Sequence, residues 1–344
     1  MNMEDIAKLA GVSKSAVSLA LNGKAGVGED TRMRILAIAA EHGYSGKIKP
    51  AAPEKNGRSI QFLVFTSSQL VHEDYYQQPF FKELIHYIEE GCRNYGYTLQ
   101  FRTISAGDYE QGIQLVMDDD RCSGVILLGT NLDSAQIADI AAKLPHLVVL
   151  DTCFNELPVH FVEINNFMGG FQAGSYLLDQ GHRRIGYIGS DERIHNFDER
   201  RRGFLASLAS KDVHLSESCI FAVPPAILAA QAPLREQLHR FIDSGESTPT
   251  VFFCECDYIA IAAMKILHEF GYRVPDDVSV LGFDNINECL IVSPELSTVH
   301  VEKQRMAETA VDLIASAFED EHAIKIKVKV DTRFVARNSC KRLD

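Results

Sequence analysis

The sequence predicts a multidomain protein in which an all-α helix-turn-helix domain precedes a two-lobed α/β domain. Three observations support this fold class. Two short helical patterns flank Gly11, strand and helix patterns alternate from residue 59 onward, and 344 residues exceed what one compact core usually holds. The predicted boundaries are 1–45 for the helical domain, 46–58 for a linker or hinge and 59–344 for the α/β domain.

The N-terminal segment has the spacing of two amphipathic helices joined by a tight turn. The side chains predicted to face inward are Ile6, Leu9, Ala10, Val17, Ala20 and Leu21. Gly11 can take the left-handed backbone conformation, and the Ser13 hydroxyl can cap the second helix. A third helix is predicted over 29–42. Such a unit places its second helix in the DNA major groove, so this part predicts a double-stranded DNA partner.

The charge distribution agrees with a DNA-binding N-terminus although the whole chain is acidic. The net charge is −13. Residues 1–58 hold nine Lys/Arg and six Asp/Glu, a net charge of +3, which leaves −16 for the remainder. Binding to phosphates depends on the local field, so the acidic part does not exclude DNA binding.

Beyond the linker, buried-strand patterns alternate with helical patterns. The predicted strands are 60–65, 98–104, 124–129, 146–151, 160–165, 184–189, 250–254 and 278–284. The predicted helices are 80–94, 107–118, 134–143, 167–180, 199–210, 228–244, 257–270 and 302–318. This alternation indicates parallel sheets covered by helices, and its length favours two lobes. Ligands of such sheets bind at the carboxyl ends of the strands.

Several function classes have no support in the sequence. No run of about 18 apolar residues predicts a membrane span, and the absence of a signal-peptide pattern predicts a cytoplasmic protein. Zinc-site spacing is absent, so Cys254 and Cys256 are interpreted as buried thiols, and neither metal nor cofactor is predicted. No phosphate-binding glycine loop or nucleophilic serine motif is present, which argues against an enzyme. A solute-binding protein and an α/β sugar-handling enzyme stay as alternatives.

Five segments together resemble the LacI/GalR family of bacterial transcription repressors. They are MEDIAKLAGVSKSAVSLALNG, QPFFKELIHYIEEGCRNYGYTL, NNFMGGFQAGSYLLDQGHRRIGYIG, RRRGFLASL and VPDDVSVLGFDN. The resemblance implies a ligand domain with the periplasmic-binding-protein-like (type I) fold. It also implies a homodimer, with a tetramer left open, that binds operator DNA under the control of a small-molecule effector. A sugar is the favoured effector, and a nucleobase or nucleoside is the alternative.

The resemblance assigns DNA contacts to the start of the second helix. The implied DNA-binding residues are Ser13, Lys14, Ser15, Ser18, Leu19 and Asn22. Lysine can donate to guanine O6 and N7, whereas the alternative is that these are simply solvated helix residues. Leu19 departs from the family, in which arginine is common at this position. The linker also departs, because the family's Tyr-x-Pro-Asn segment and Ala-Arg-x-Leu hinge motif are not found.

The resemblance also assigns effector contacts in the α/β domain. They are Gln78, Phe80, Phe81, Asp151, Arg200, Asp257 and Asp284. This combination suits a polyol. Carboxylates accept hydrogen bonds from its hydroxyls, an arginine donates hydrogen bonds to them, and an aromatic face packs on its C–H bonds. Alternatives stay open: Phe81 can be a core residue, and Asp151 and Asp284 can cap loops. Cys256 stands where the family usually has asparagine.

Overall fold

The computed structural model describes residues 3–21, 26–41, 58–67, 70–320 and 324–343. The predictions for Asn22 and for linker residues 46–57 lie outside these residues. The first three helices are α1 (Met3–Ala10), α2 (Lys14–Leu21) and α3 (Glu29–Glu41). They pack around a small core that includes Ile6, Val17 and Ile35, so the predicted helical unit is present.

The turn between α1 and α2 has the predicted chemistry. Gly11 has a φ of +65°, and the Ser13 Oγ accepts a hydrogen bond of 3.2 Å from the Ala16 amide. One inward-facing residue was predicted wrongly, because Leu9 is 56% exposed, whereas the small residues Ala7 and Ala10 are buried where α1 meets its neighbours. Ala7 follows Ile6 directly and lies one turn before Ala10, so these three share the face of α1 that meets its neighbours.

The α/β domain contains twelve strands and eight further α-helices among the described residues. The strands are β1 (Ser59–Thr66), β2 (Thr98–Ser105), β3 (Cys122–Leu128), β4 (Leu147–Leu150), β5 (His160–Ile164), β6 (Ile185–Ser190), β7 (Ile220–Val223), β8 (Val251–Cys254), β9 (Ser279–Asp284), β10 (Ser297–Val301), β11 (Lys327–Val330) and β12 (Thr332–Val335). The helices are α4 (Pro79–Asn94), α5 (Tyr109–Met117), α6 (Ser134–Lys143), α7 (Asn166–Asp179), α8 (His195–Ala209), α9 (Gln231–Asp243), α10 (Asp257–Glu269) and α11 (Lys303–Glu319).

These strands form two six-stranded sheets, one in each lobe. The first lobe has the order β11-β5-β4-β3-β1-β2, and its described pairs are all parallel. The second lobe has the order β12-β10-β9-β8-β6-β7, in which only β12 is antiparallel to its neighbour. Central strands such as β4 are buried along their whole length, as continuous apolar runs in parallel sheets are.

Within the described part of the α/β domain, the chain crosses between the lobes three times, each time through a single residue between two regular elements. The crossing residues are Asn165 after β5, Glu302 after β10 and Asp331 after β11. The Asn165 Nδ2 donates a hydrogen bond of 2.8 Å to the Asp331 Oδ1, so two of the crossings are joined. Helix α11 returns to pack on α4 and on the first sheet.

All eight predicted strands and all eight predicted helices of the α/β domain are present. Strands β7, β10, β11 and β12 were not predicted. They are four or five residues long, and polar residues interrupt the apolar pattern in β10, β11 and β12. Helix α8 begins at His195 rather than at residue 199. Within the described residues no helix is both long and apolar enough to cross a membrane.

Candidate functional site

A cleft lies between the lobes, at the carboxyl ends of the strands. Six of the seven predicted effector residues line it: Gln78, Phe80, Phe81, Asp151, Arg200 and Asp284. The other lining residues are Leu70, Thr130, Ile194, Asn196, Phe197, Pro225, Cys256 and Tyr258. The cleft therefore combines charged, amide and aromatic side chains from both lobes.

Arg200 is the central cation of the cleft, and every side of its guanidinium is constrained. The residue is 3% exposed, and its Nη2 lies 2.9 Å from the Asp284 Oδ1. Its Nε donates to the Asn166 Oδ1 at 2.8 Å, and its Nη1 donates to the Glu255 carbonyl at 2.7 Å. The Phe283 ring lies beneath the guanidinium carbon at 3.8 Å. These contacts hold the donors of Arg200 in one orientation.

Asp284 is the last residue of β9 and has a φ of +115°, an unusual value for a residue with a side chain. Burial raises the pKa of its carboxyl, while the nearby Arg200 and Lys303 oppose that rise. The Lys303 Nζ donates to the Asp284 carbonyl at 3.1 Å. Asp284 is thus fixed both at its backbone and at its side chain.

Asp151 follows β4 in the first lobe and also has a left-handed backbone, with a φ of +65°. The Thr130 hydroxyl donates to its Oδ2 at 2.5 Å, and the Asn196 amide donates to its Oδ1 at 3.0 Å. Burial raises the pKa of Asp151 to about 6. The Asn166 Nδ2 donates to the Asn196 Oδ1 at 3.0 Å. Two amides therefore connect Asp151 in the first lobe to Arg200 in the second.

Aromatic rings form the apolar part of the cleft. Phe80 and Phe81, at the start of α4, are both buried and meet edge to face at 5.4 Å between ring centroids. The Tyr258 hydroxyl, from the second lobe, accepts a hydrogen bond of 3.1 Å from the Phe80 amide. Close by, the Lys303 Nζ lies 3.1 Å from the Glu83 Oε2. The Tyr258–Phe80 contact thus joins the two lobes beside the cleft, whereas the Lys303–Glu83 pair joins two helices of the first lobe.

Asp257 is the one predicted effector residue that does not line the cleft. Its carboxylate accepts hydrogen bonds from Thr298 Oγ1 at 2.6 Å, the Ile286 amide at 3.0 Å and Cys289 Sγ at 3.1 Å. Burial raises its pKa to about 7. The side chain at the start of α10 points toward Thr298 of β10 and the turn after β9 and not into the cleft, which the preceding Cys256 borders instead.

Sequence reasoning missed several polar residues of the site: Thr130, Asn166, Asn196, Glu255, Tyr258 and Lys303. Thr130 and Glu255 follow strands closely, so the rule that ligands bind at carboxyl ends of strands points to them. The Glu255 carboxylate is fully buried and accepts from Tyr187 Oη, the Ser190 amide at 2.7 Å and Arg193 Nη1 at 2.8 Å. This fixes the peptide whose carbonyl binds Arg200.

The predicted DNA-binding residues that the structure describes lie at the start and along one side of α2. Ser13, Lys14 and Ser15 are exposed, whereas Ser18 and Leu19 are half-buried. The Lys14 side chain is 62% exposed, and its Nζ lies 3.5 Å from the Glu4 carboxylate. The start of α2 therefore presents hydroxyl and ammonium groups to solvent.

Comparisons with known proteins agree with both parts of this structure. Residues 2–46 match the model of the bacterial regulatory proteins, lacI family, and residues 175–340 match that of the periplasmic binding protein-like domain. A relative from Yersinia enterocolitica, named HTH-type transcriptional repressor PurR, is 30% identical over 347 residues, covering 97% of this chain and 96% of the relative. The chain belongs to the LacI family. A repressor of the same name from Mannheimia succiniciproducens is 29% identical and covers 99% of both chains.

Solved structures share the LacI-family fold. The transcriptional regulator CelR in complex with cellobiose has a TM-score of 0.71 and 24% identity, covering 98% of this chain and 99% of the other. The lac repressor dimer bound to operator and the anti-inducer ONPF has a TM-score of 0.70 and 20% identity, covering 99% of each chain. The predicted fold class and family are thus confirmed, and family membership confirms a regulator rather than an enzyme.

Proposed function

We propose that this LacI-family regulator is a repressor whose affinity for operator DNA is controlled by a sugar bound between the two lobes. The observation that carries this proposal is the convergence of Arg200, Asp284 and Asp151 on one cleft beside Phe80 and Phe81. Carboxylates accept hydrogen bonds from vicinal hydroxyls, a fixed guanidinium donates hydrogen bonds to hydroxyl oxygens, and phenyl rings pack on sugar C–H bonds. A small polyhydroxylated molecule satisfies all three kinds of group.

Regulation follows from the position of the cleft. A ligand can shift a conformational equilibrium only by binding its states with different affinities. A ligand in the cleft would contact residues of both lobes, so its affinity would depend on the angle between them. In a homodimer, two helix-turn-helix units read the two half-sites of a near-palindromic operator. The exposed Ser13, Lys14 and Ser15 at the start of α2 are suited to contact base edges.

A purine base is the second candidate effector. Two observations favour it: the relatives at 29–30% identity carry the name PurR, and the rings of Phe80, Phe197 and Tyr258 border the cleft. Aromatic faces can stack on a planar base, while Asp284 and Asn196 can pair with N–H and carbonyl groups on its edge.

The experiment uses the full chain and proceeds in two steps. Operator sequences are first selected from random double-stranded DNA. Release or tightening of the selected DNA is then measured by fluorescence anisotropy with a panel of pentoses, hexoses and disaccharides and, separately, with adenine, guanine and hypoxanthine. A sugar that changes operator affinity supports the proposal, whereas a response to purines alone establishes the second candidate.

One variant and a matched control test whether the effector acts in the cleft. Asp284→Asn keeps the shape of the side chain but removes the charge opposite Arg200, so the effector response should weaken about tenfold or more, the usual effect of losing a charge-assisted hydrogen bond. The matched control is Asp243→Asn, whose carboxylate is exposed on α9. An unchanged response in Asp284→Asn would contradict the cleft assignment. Failure of the chain to select any DNA would contradict the regulatory function.

A further inference from the structure

The turn that carries Asp284 contains two consecutive residues with left-handed backbones. Asp284 has a φ of +115°, and Asn285 has a φ of +53°. Residues with a side chain are strained in this region, and such strain persists only where the surrounding structure imposes it. Contacts from several elements therefore have to hold this turn.

Two backbone contacts hold the turn on either side of Asn285. The Lys303 Nζ donates to the Asp284 carbonyl at 3.1 Å, and the Ile286 amide donates to the Asp257 carboxylate at 3.0 Å. Both partners are buried. These contacts leave the orientation of the Asn285 side chain to be fixed by other groups.

The Asn285 amide lies between Arg337 and His300. The Arg337 Nη2 donates to the Asn285 Oδ1 at 2.7 Å, and the Asn285 Nδ2 lies 2.8 Å from the His300 Nδ1. Arg337 is itself anchored, because its Nη1 donates to the Leu296 carbonyl at 2.7 Å and its backbone amide donates to the Ser297 Oγ at 2.9 Å. Each end of the Asn285 amide thus has one partner.

This geometry fixes the protonation state of His300. A guanidinium only donates hydrogen bonds, so the amide oxygen faces Arg337 and the amide NH₂ faces His300. The His300 Nδ1 must then accept, which requires a neutral imidazole with its proton on Nε2. The Nε2 lies 3.5 Å from the Glu302 Oε2. A proton on Nδ1 would place two hydrogen-bond donors, the His300 Nδ1 and the Asn285 Nδ2, 2.8 Å apart.

The charged groups around His300 come from neighbouring strands and helices. Arg333 of β12 and Asp284 of β9 stand beside His300 in the sheet register. Burial lowers the pKa of His300, as do the positive charges of Lys303 and Arg333, while Glu302 and Glu83 oppose this. The balance of these groups favours the neutral ring that the hydrogen bonds require.

We propose that His300 is a positioning residue for the cleft: the neutral ring, with Arg337, orients the Asn285 amide and so holds the Asp284 carboxylate opposite Arg200. Protonation of His300 removes the acceptor for Asn285 and releases the turn. The importance of Asp284 to an effector rests on the proposed function, but the positioning itself does not. Acid would therefore disturb the position of Asp284 through His300, which itself lies outside the lining of the cleft.

The test needs no effector, so its outcome is independent of the proposed function. Full-length protein with ¹³C- and ¹⁵N-labelled histidine and [¹³Cγ]aspartate is titrated by NMR. The His300 and Asp284 signals are assigned by their loss in His300→Asn and Asp284→Asn. In the wild type, His300 should show an unprotonated Nδ1 near neutral pH. On acidification, the Asp284 signal should show a step in phase with protonation of His300, separate from the shift caused by protonation of the Asp284 carboxyl itself.

Two substitutions at one position separate positioning from packing. His300→Asn places an amide oxygen where Nδ1 lies and cannot become protonated. The Asp284 signal should then match that of the wild type at neutral pH and lack the step that accompanies protonation of His300. His300→Phe keeps the ring but lacks the acceptor, so the Asp284 signal should be displaced at every pH. A protonated Nδ1 at neutral pH, or an Asp284 signal unaffected by His300→Phe, would overturn the proposal.

Discussion

Replacing Arg200 with alanine should destabilise the α/β domain strongly, because Arg200 is buried and leaves charged and polar partners behind. The variant leaves the Asp284 carboxylate without the guanidinium that lies 2.9 Å from it in the wild type. It also removes the hydrogen-bond donors to the Asn166 side chain and the Glu255 carbonyl. Removing one member of a buried, hydrogen-bonded ion pair typically costs about 3–5 kcal/mol. We expect a loss of this size in the free energy of unfolding.

Arg202, two positions along the same helix, provides the matched control. Its side chain is 64% exposed and pairs with Glu199 at 2.7 Å, one helical turn away, and its guanidinium carbon lies 4.9 Å from the centroid of the Phe167 ring. Exposed pairs of this kind contribute about 0–1 kcal/mol. Arg202→Ala should therefore unfold close to the wild type, although it removes the same charge from the same Arg-Arg-Arg run.

The assay is urea unfolding of the full chain, followed by circular dichroism, at neutral pH. A second comparison tests whether the cost comes from the unpaired carboxylate. The double variant Arg200→Leu with Asp284→Asn removes both charges and should recover much of the lost stability, since replacing a whole buried pair is often nearly neutral. Equal losses in Arg200→Ala and Arg202→Ala would refute the buried-pair reasoning, as would a double variant no more stable than Arg200→Ala.

Three further predictions concern single sites. Lys14→Ala should reduce discrimination at one operator position by about 1–3 kcal/mol, measured by anisotropy on single-base variants; equal loss on every sequence would indicate a phosphate contact. Burial raises the pKa of Asp151 to about 6, so its ionisation opposes folding, and stability falls as the pH rises from about 4 to 6. Asp151→Asn should flatten this part of the unfolding free energy against pH, and an unchanged profile would contradict it. Glu255→Gln removes the charge opposite Arg193 and should cost about 1.5–3 kcal/mol in urea unfolding, whereas exposed Glu236→Gln should cost little.

The family resemblance selected Asp151 and Asp284, and chain topology independently agreed with their position at one edge of each sheet. Each residue ends or follows an apolar run that predicts a buried strand. In parallel sheets the carboxyl ends of such strands lie together at one edge. Neither inference needed the angle between the lobes. The charges at the centre of the cleft were therefore predictable from order along the chain and from the family resemblance.

Asp257 and Leu9 show where this reasoning fails. Asp257 also follows a buried strand, but it is the first residue of α10, and its side chain turns inward to Thr298 and the Ile286 amide. Leu9 has helical spacing from Ile6, yet α1 contacts its neighbours through Ala7 and Ala10. In both cases the direction of one side chain is set by packing between elements, which a one-dimensional pattern does not contain.

The contacts between the lobes were not predictable for the same reason, and they carry a consequence for regulation. Asn196 binds Asp151 across the cleft, and Tyr258 binds the Phe80 amide. Each of these four residues also lines the cleft. A ligand that touches them competes with, or reinforces, the same hydrogen bonds that join the lobes. Under the proposed function, coupling between effector and lobe angle needs no extended pathway, because residues that line the cleft also join the lobes.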